Sequence, residues 1–338
     1  MIIYSKNFRL KLEEILKEEL PTETYNDTEK NVLKIVRNWH SDKSYFFHQT
    51  SGSTGAPKQI EISREKIKYS SQATMSFIGS KATINNSLLC INPEFIGGAM
   101  VIYRALIYDL DIHIVEPETD FMTHLDSESK FDLVSVVPMQ FEKLTQDQIS
   151  RFKVILIGGA PMPIKNESYR AQVFSTFGMT ETVSHIALRP LSDEIFTATG
   201  DTEIAIEKDH SLKIKGTITD HKWLKTNDLI ELISNKSFKW LGRKDFIINS
   251  GGIKLNPETI EQSLQDQIEG DFMVGSMADE KLGRKVILLL EQDHKLIDFS
   301  RLETYQKPKE VFFNQRIFKT ASNKIDRLKT QEFFEASL

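Results

Sequence analysis

The spacing of apolar residues along the chain predicts strands that alternate with helices. Short apolar runs at 87–91, 111–115, 131–137 and 153–157 are interspersed with stretches of helical spacing at 97–109 and 139–145. Strand-sized runs that alternate with helix-sized periodic segments are typical of βαβ units, whose ligands bind beyond the carboxyl ends of the strands. The pattern therefore predicts an α/β layer structure in the middle of the chain.

The first 80 residues predict helices on either side of two strands. The predicted elements are a helix over 8–20 that Pro21 ends, a helix around 32–39, strands at 45–47 and 60–62, and a helix from an N-cap at Ser63 to Ile78. These assignments follow from apolar residues at helical or alternating spacing and from the capping preference of serine. The two strands flank a polar loop.

After residue 195 the pattern changes to short alternating runs. Apolar and polar residues alternate at 203–207, 212–214 and 229–233. Such runs are typical of half-buried strands. The sequence therefore predicts a small β-rich subdomain over 195–241.

The C-terminal part of the chain predicts a small α+β unit. Its predicted elements are a helix that begins at Asn256-Pro257, strands at 272–276, 286–291 and 310–317, and a helix near 298–305. An asparagine cap followed by proline starts a helix on local grounds alone. A chain of 338 residues also exceeds the size at which one core usually keeps growing. We therefore expect two domains.

Composition and charge exclude several classes of protein. The net charge of -5 argues against a nucleic-acid-binding surface. No apolar run approaches the roughly 18 residues that span a bilayer, and the N-terminus lacks a signal-peptide core, so we expect a cytoplasmic protein without membrane insertion. The single cysteine, Cys90, excludes an internal disulfide and a multi-cysteine metal site. Its apolar neighbours predict a buried thiol that fills space.

The loop between the first two predicted strands has the composition of an anion-binding turn. It reads Thr50-Ser51-Gly52-Ser53-Thr54-Gly55-Ala56-Pro57-Lys58. Its hydroxyls and backbone N–H groups can form an anion cradle, its two glycines permit positive φ, and Lys58 supplies a point charge suited to phosphate. The spacing is not that of a Walker A motif. On composition alone, a solvated turn is an equal alternative.

This loop resembles the phosphate-binding signature of the adenylate-forming superfamily, which includes acyl-CoA and aryl-CoA ligases, nonribosomal adenylation domains and luciferases. Four further motifs follow in the order of that family: Phe177 to Thr182, Lys225 to Asp228, Gly242 to Glu261 and Lys319 to Lys324. The family has a longer segment before the phosphate loop. The resemblance therefore implies a large layered α/β domain over 1–242 with a truncated first subdomain, followed by a small mobile C-terminal domain over 243–338.

The resemblance also implies the site residues, motif by motif. Phosphate binding is assigned to Thr50, Ser51, Gly52, Ser53, Thr54, Gly55 and Lys58. The adenine and ribose contacts are Gly158, Gly159, Ala160, Pro161, Phe177, Gly178, Met179, Asp228 and Arg243, of which Asp228 accepts the ribose hydroxyls. The catalytic residues are Lys324, Thr180 and Glu181, with Glu181 also holding Mg²⁺, and Asp245 is the hinge. The acyl pocket takes Gly98, Arg104 and His185, and the CoA step takes Gly251, Gly252 and Lys254.

Three positions depart from the pattern of the family. Asn227 and Asn323 stand where the family has glycine, and Phe318 stands where it has proline. Asparagine tolerates left-handed backbone nearly as glycine does, so we expect both turns to survive. Apart from the resemblance, Glu181 has the pattern of a solvated surface acid, and a satisfied core histidine is an equal interpretation of His185.

Within the superfamily, the strings Asn92 to Gly98 and Ser184 to Arg189 are most similar to the o-succinylbenzoate:CoA ligases of menaquinone biosynthesis. That resemblance implies formation of an acyl-AMP with release of pyrophosphate and then of a CoA thioester, with ATP, Mg²⁺, CoA and a carboxylic acid as partners. Another aryl- or acyl-CoA ligase, a carrier-loading adenylation enzyme and an inactive nucleotide-binding regulator share the motifs and stay open. The oligomeric state stays open as well.

Overall fold

Two sheets organise the protein in the computed structural model, which describes residues 1–17, 22–49, 59–79, 83–293, 296–320 and 324–338. The predicted phosphate-binding residues Thr50 to Lys58, and Asn323, lie outside these ranges. The larger sheet ends at Arg243, and the smaller one begins at Ile248. A short 3-10 turn, Lys244–Phe246, connects them.

The first fifteen strands are β1 (Ile2–Tyr4), β2 (Arg9–Lys11), β3 (Tyr45–Gln49), β4 (Gln59–Ser63), β5 (Asn86–Leu89), β6 (Asp111–Ile114), β7 (Phe131–Val136), β8 (Phe152–Ile157), β9 (Gln172–Gly178), β10 (His185–Pro190), β11 (Ile195–Ala198), β12 (Glu203–Ile206), β13 (Ser211–Lys215), β14 (Leu224–Ser234) and β15 (Ser237–Arg243). Strands β3 and β4 form a separate hairpin. The other thirteen form one sheet in the order β12-β13-β14-β15-β11-β10-β9-β8-β7-β5-β6-β1-β2.

The larger sheet has a parallel half and an antiparallel half. Strands β9, β8, β7, β5, β6 and β1 run parallel, and β10 to β15 run antiparallel. The parallel half contains the alternating strands and helices that the sequence predicts, and the antiparallel half contains the predicted β-rich region. The predicted α/β fold class is therefore confirmed.

The helices are α1 (Leu12–Lys17), α2 (Asp27–Trp39), α3 (Arg64–Gly79), α4 (Ile96–Tyr108), α5 (Pro138–Lys143), α6 (Gln146–Ile149), α7 (Pro257–Leu264) and α8 (Arg327–Ser337). A capping box of Asn26 and Glu29 starts α2. The predicted helix over 8–20 is wrong at its start, because residues 9–11 pair with β1 as an edge strand. Helix α4 is apolar along most of its length and is buried from Gly98 to Ala105.

The smaller sheet contains β16 (Ile248–Ser250), β17 (Ile253–Leu255), β18 (Phe272–Asp279), β19 (Gly283–Leu290) and β20 (Glu310–Phe312). The helix predicted near 298–305 is wrong: backbone N–H groups of Leu302 and Gln306 bond to carbonyls three residues earlier, which makes separate turns. The strand predicted over 310–317 is confirmed only for its first three residues. Helix α7 begins at Pro257 after the cap Asn256, as predicted.

Core packing explains the single cysteine. Cys90 is fully buried beside Leu88 and Phe141, and its Sγ–H donates to the Ser135 carbonyl over 3.4 Å. Burial raises the pKa of the thiol well above its usual range. Cys90 is therefore packing material, as the sequence predicts. None of the helices in the described ranges is both long and apolar enough to cross a membrane.

Candidate nucleotide and acyl site

Lys324 lies against the turn that follows strand β8. A methyl group added to Gly159 would lie 4.0 Å from the Lys324 Cε. Burial lowers the pKa of Lys324, and the nearby charge of Arg243 lowers it further. The backbone of Lys324 is held by Thr320, whose N–H donates to the Lys324 carbonyl over 2.8 Å. Two motifs that are far apart in the sequence therefore meet in the structure.

The turn at Gly158 and Gly159 is tightly constrained. Gly159 has φ +90°, and a methyl group added to Gly158 would lie 2.6 Å from the Thr176 Oγ1. Glycine is therefore required at 159 by the positive φ and at 158 by the close approach of Thr176. The guanidinium of Arg189 donates to the Met162 carbonyl just beyond this turn and stacks on Phe196. The turn therefore presents bare backbone beside Lys324.

Asp228 is buried on strand β14 beside two donors. The Trp240 Nε1–H donates to its Oδ1 over 3.0 Å, and the Arg243 Nη1 lies 3.9 Å from its Oδ2. Burial raises the pKa of Asp228, while the bond from Trp240 and the charge of Arg243 act in the opposite direction. The predicted ribose residues Asp228 and Arg243 are thus brought together, as cross-strand partners.

The segment from Phe177 to Thr182 turns sharply after strand β9. Thr180 is buried and Glu181 is exposed on a 3-10 turn. The Met179 N–H donates to the Thr182 Oγ1 over 3.1 Å, and that hydroxyl also contacts the Ser184 carbonyl at 2.9 Å. A methyl group on Gly178 would overlap the same carbonyl. The predicted catalytic carboxylate therefore stands on a closely fixed turn.

Val183 closes this turn in a conformation that few β-branched residues adopt. It is buried and has φ +65° and ψ -56°. A positive φ is uncommon in residues other than glycine, and this backbone conformation costs of order 1–3 kcal/mol. The Val183 N–H donates to the Thr180 carbonyl over 2.9 Å. Strain is therefore located directly beside the predicted catalytic pair.

The predicted acyl-pocket residues Arg104, which is buried, and His185, which is partly buried, are close enough for the charge of Arg104 to act on the imidazole. Arg104 is 2% exposed, and its Nε and Nη1 have no partner among the described residues. Burial lowers its pKa to about 10. Burial and the charge of Arg104 lower the pKa of His185 to about 3. His185 also lines a small cavity with Ser70 and Thr182.

Gly98 has a packing role that the sequence does not show. A methyl group there would overlap the Asn92 carbonyl and would lie 2.8 Å from the Pro93 Cα. Gly98 therefore lets helix α4 approach the segment that follows β5.

The predicted hinge, Asp245, is held by two side chains. Its Oδ1 accepts a 2.9 Å hydrogen bond from the Asn227 Nδ2, and its Oδ2 lies 2.5 Å from the Arg243 Nη2. The expected left-handed backbone at Asn227 is wrong, since the described residues with positive φ do not include it and it lies within strand β14. Asn227 instead uses its carboxamide to contact Asp245.

The residues predicted for the CoA step form the β16–β17 hairpin. Gly251 and Gly252 have φ +59° and +83°, which glycine adopts without strain. The Gly251 N–H donates to the Leu282 carbonyl over 2.9 Å, and Lys254 is exposed on β17.

Several neighbours of the site are invisible to motif analysis. Trp240 bonds Asp228, and Thr74 contacts the His185 Nε2 at 2.7 Å. The Glu258 carboxylate accepts the Arg243 backbone N–H over 2.8 Å. Each of these pairs joins two elements that are distant along the chain or offset by an irregular register, so periodicity gives no signal for it.

The predicted adenine-site residues Phe177 and Met179 pack against the main core, and Phe177 meets Phe238 with ring centroids 5.2 Å apart.

Comparison with known proteins identifies related sequences. A family described as AMP-binding enzyme matches residues 4–216. A 2-succinylbenzoate–CoA ligase from Listeria monocytogenes is 27% identical, over 91% of this chain and 74% of its own length. A ligase of the same name from Bacillus subtilis is 26% identical, over 87% of this chain and 70% of its own length.

Solved structures share the fold. An acyl-CoA synthetase (AMP-forming)/AMP-acid ligase II-like protein from Dyadobacter fermentans superposes with a TM-score of 0.61 at 29% identity, covering 96% of this chain and 98% of that protein. The o-succinylbenzoate coenzyme A synthetase from Bacillus subtilis with ATP and magnesium has a TM-score of 0.71 at 22% identity over 84% and 69% of the two chains. Its complex with the acyl-adenylate intermediate has a TM-score of 0.73 at 22% identity, over 84% and 68%.

Proposed function

The chain belongs to the AMP-binding enzyme family, and from that premise we propose that it is an AMP-forming acid–thiol ligase that activates o-succinylbenzoate with ATP and then forms the CoA thioester. The relatives named 2-succinylbenzoate–CoA ligase support the choice of acid, as does the Bacillus subtilis synthetase that was solved with its acyl-adenylate. The proposal places the reaction in menaquinone biosynthesis and in the cytoplasm.

The meeting of three separate motifs carries this proposal. Lys324 lies beside Gly159, and its pKa is affected by the charge of Arg243, which is itself the cross-strand partner of Asp228. A flat ring can approach the bare backbone at Gly159, while Asp228 offers carboxylate oxygens to the ribose hydroxyls. Lys324 then stands where the α-phosphate and the attacking carboxylate meet.

The first half-reaction joins two anions. A carboxylate oxygen of the acid attacks the α-phosphorus, the bond from that phosphorus to the bridging oxygen breaks, and pyrophosphate leaves with the electron pair. The chain must offset the repulsion between the carboxylate and the phosphates. A fixed cation at Lys324 stabilises that transition state without reorganising, which is the kind of electrostatic contribution that gives large rate effects.

The described donors fit Mg²⁺ that is carried mainly by the nucleotide. No group of three or more His, Cys, Asp or Glu side chains able to hold a metal occurs among the residues that the structure describes. Mg²⁺ usually keeps several waters and binds one or two carboxylates plus substrate phosphates. The exposed Glu181 carboxylate, on its fixed turn, would be that protein ligand. Bound there, Mg²⁺ would neutralise charge on the phosphate oxygens.

The acyl group is assigned to the region of Arg104 and His185. The two unpartnered donor atoms of Arg104 are buried, and a buried unpaired charge is costly. A substrate carboxylate would satisfy it. The neutral imidazole of His185 adds a polar group without adding charge. This chemistry favours an acid that carries a second carboxylate, as o-succinylbenzoate does.

The second half-reaction uses a thiol. The CoA thiol gives up its proton to solvent, its sulfur attacks the acyl carbon, and the bond from that carbon to the phosphate oxygen breaks, so that AMP leaves with the electron pair. Lys324 has no part in this step. The proposal therefore includes two units, 1–242 and 243–338, that reorient about Asp245 so that the hairpin with Gly251, Gly252 and Lys254 replaces Lys324. The Asn227–Asp245 contact, which joins the two units, would then hold the orientation used for adenylation.

A pyrophosphate-release assay tests the proposal. The protein is given ATP and Mg²⁺ with a panel of aromatic and aliphatic carboxylic acids, with and without CoA. We expect the highest kcat/KM with o-succinylbenzoate, and a thioester product only when CoA is present. A far higher kcat/KM with another acid would show that o-succinylbenzoate is the wrong substrate assignment. If none of the acids in the panel causes release of pyrophosphate, the proposed enzymatic function is refuted.

A further inference from the structure

A β-bulge brings three polar side chains to one face of the larger sheet. Asp228 pairs with Arg243, and Ile230 pairs with Trp240. Directly paired residues share a face, as do residues two apart along a strand. Trp240 and Arg243 are three residues apart, so a regular strand would point them to opposite faces. The extra residue, Leu241, places them on the same face as Asp228.

Glycine at position 242 is what permits this bulge. Gly242 has φ +108°, a region that side chains rarely allow. A methyl group there would also overlap the carboxamide of Asn256. That carboxamide donates to the Leu241 carbonyl and so satisfies the backbone of the bulged residue. The bulge is therefore fixed on both sides.

The bulge aims the indole of Trp240 at one oxygen of Asp228. The Nε1–H donates to Oδ1 over 3.0 Å, and the Arg243 Nη1 lies 3.9 Å from the other oxygen. The ring of Trp240 packs against the main core, so it cannot follow a moving carboxylate. Asp228 is 5% exposed, so water does not replace this donor easily.

We propose that Trp240 is a positioning residue for the carboxylate that binds the ribose. An ionised carboxylate has about four acceptor positions. One bond from Trp240 fixes the plane of the group and leaves acceptor positions on both oxygens for the two ribose hydroxyls. The inference rests on the ribose role of Asp228 under the proposed function and deepens it.

The charges around Asp228 give this role a signature in pH. Burial raises the pKa of Asp228, and the Trp240 N–H, the charge of Arg243 and the hydroxyl of Thr226 counteract it. Asp245 raises it further, and Glu258 is close enough for the two acids to interact. Loss of the indole donor therefore raises the pH at which Asp228 takes up a proton. The pH below which ATP affinity falls should therefore be higher in a variant that lacks the indole donor.

The test compares ATP with 2′,3′-dideoxy-ATP, which lacks both ribose hydroxyls. Dissociation constants are measured by calorimetry across pH 5–8 for Trp240→Phe, with Trp223→Phe as the matched control. Trp223 is exposed and stacks on Lys213 and Lys215. We expect Trp240→Phe to weaken ATP binding about three- to tenfold, as for one lost hydrogen bond. Binding of dideoxy-ATP should not change, and kcat at saturating ATP should stay close to that of the native protein.

Each other outcome decides the question. Equal weakening for both nucleotides would mean a general structural effect, and the positioning role would be wrong. The same follows if Trp240→Phe changes nothing while Asp228→Asn still weakens ATP binding. If neither Asp228→Asn nor removal of the hydroxyls changes affinity, the ribose role itself fails. If the Trp240→Phe variant does not fold, Trp240→His replaces it in the test because histidine keeps an N–H donor. This variant should retain part of the preference for ATP over dideoxy-ATP. An equal affinity for ATP and dideoxy-ATP would refute the proposal.

Discussion

The Nε2 of His185 and the Oγ1 of Thr74 lie 2.7 Å apart and join strand β10 to helix α3 at the proposed acyl site. The Thr74 hydroxyl also donates to the Ser70 carbonyl over 2.9 Å. The one Thr74 hydroxyl therefore lies within hydrogen-bonding distance of both a carbonyl oxygen and a ring nitrogen. The pocket thus combines a neutral imidazole with the charge of Arg104.

This geometry predicts how His185 responds to acid. Burial, with the charge of Arg104, lowers its pKa from 6.5 to about 3, so the folded protein stays unprotonated there while the unfolded chain binds a proton below pH 6.5. The free energy of unfolding should therefore fall by about 1 kcal/mol between pH 6.5 and 5.5 through this group.

Chemical denaturation at several pH values checks this expectation. His185→Asn should show a flatter acid dependence than the native protein. His124→Asn, in the exposed pair with Glu118, is the control and should keep the native slope. In NMR spectra the ring signals of His185 should not titrate between pH 5 and 8. A titration within that range would contradict the neutral state of the imidazole.

Arg104 should show a trade between stability and substrate binding. Its Nε and Nη1 are buried without a partner in the described ranges, so Arg104→Met removes an uncompensated charge and keeps most of the volume. We expect the free energy of unfolding to rise by about 1–3 kcal/mol. The KM for o-succinylbenzoate should increase by about one to two decades, as for loss of a charge-assisted hydrogen bond, while ATP affinity is retained.

Steady-state kinetics and denaturation of the same samples test both halves of this expectation. Arg301→Met changes an exposed arginine that pairs with Asp266, and it should alter neither quantity. An unchanged KM for the acid in the Arg104 variant would remove Arg104 from the acyl pocket. A large loss of stability would show that Arg104 holds the fold.

Local chemistry explains which features the sequence could predict. The start of α7 follows from Asn256 and Pro257 because a cap and a preset φ act within one turn. The alternation of strands and helices follows in the same way from periodicity. The prediction of a helix near 298–305 is wrong because isolated turns place its apolar residues at similar spacing. One of these turns is held by the Asp298 side chain, which accepts a hydrogen bond from the Ser300 N–H over 2.8 Å.

Features that depend on register were not predictable. Alternation along residues 237–243 gives no indication of the bulge at Leu241, and so it hides the contact between Trp240 and Asp228. The family pattern predicts a left-handed turn at Asn227, whereas this residue contacts Asp245 from within strand β14. The motifs therefore indicate the groups that are proposed to carry the chemistry, and the tertiary structure shows which neighbours contact them.

The C-terminal unit should show the opposite pH dependence through Glu261. This carboxylate accepts the Val274 N–H over 2.6 Å and pairs with Arg327. Burial raises its pKa from 4.5 to about 7 despite Arg327. The folded state then holds a proton that the unfolded state releases above pH 4.5, so stability falls as pH rises from about 4.5 to 7, by up to about 3 kcal/mol.

Glu261→Gln imitates the protonated form and should flatten this dependence, whatever its effect on absolute stability. Glu335→Gln removes an exposed partner of Arg284 in the same unit. It serves as the control and should leave the slope within that range unchanged. A native slope in the Glu261 variant would show that the carboxylate is ionised throughout.

The last prediction separates the two half-reactions through Lys324. The proposed function makes Lys324, which lies beside Gly159, a cation of the adenylation transition state, so Lys324→Ala should slow adenylation by about two to three decades. Thioester formation from supplied acyl-AMP and CoA should be nearly unchanged, because the proposed reorientation removes Lys324 from the site in that step. Both rates are measured by single-turnover kinetics.

Lys319→Ala is the matched control, because Lys319 lies on the same segment and pairs with Asp271 at 2.6 Å. It should leave both half-reactions within about twofold of the native rates, as expected for a surface ion pair. An equal loss in both half-reactions of the Lys324 variant would mean that Lys324 stays in the site throughout, and the reorientation about Asp245 would be wrong. A loss in neither would make Lys324 a structural lysine whose burial beside Arg243 has no catalytic purpose.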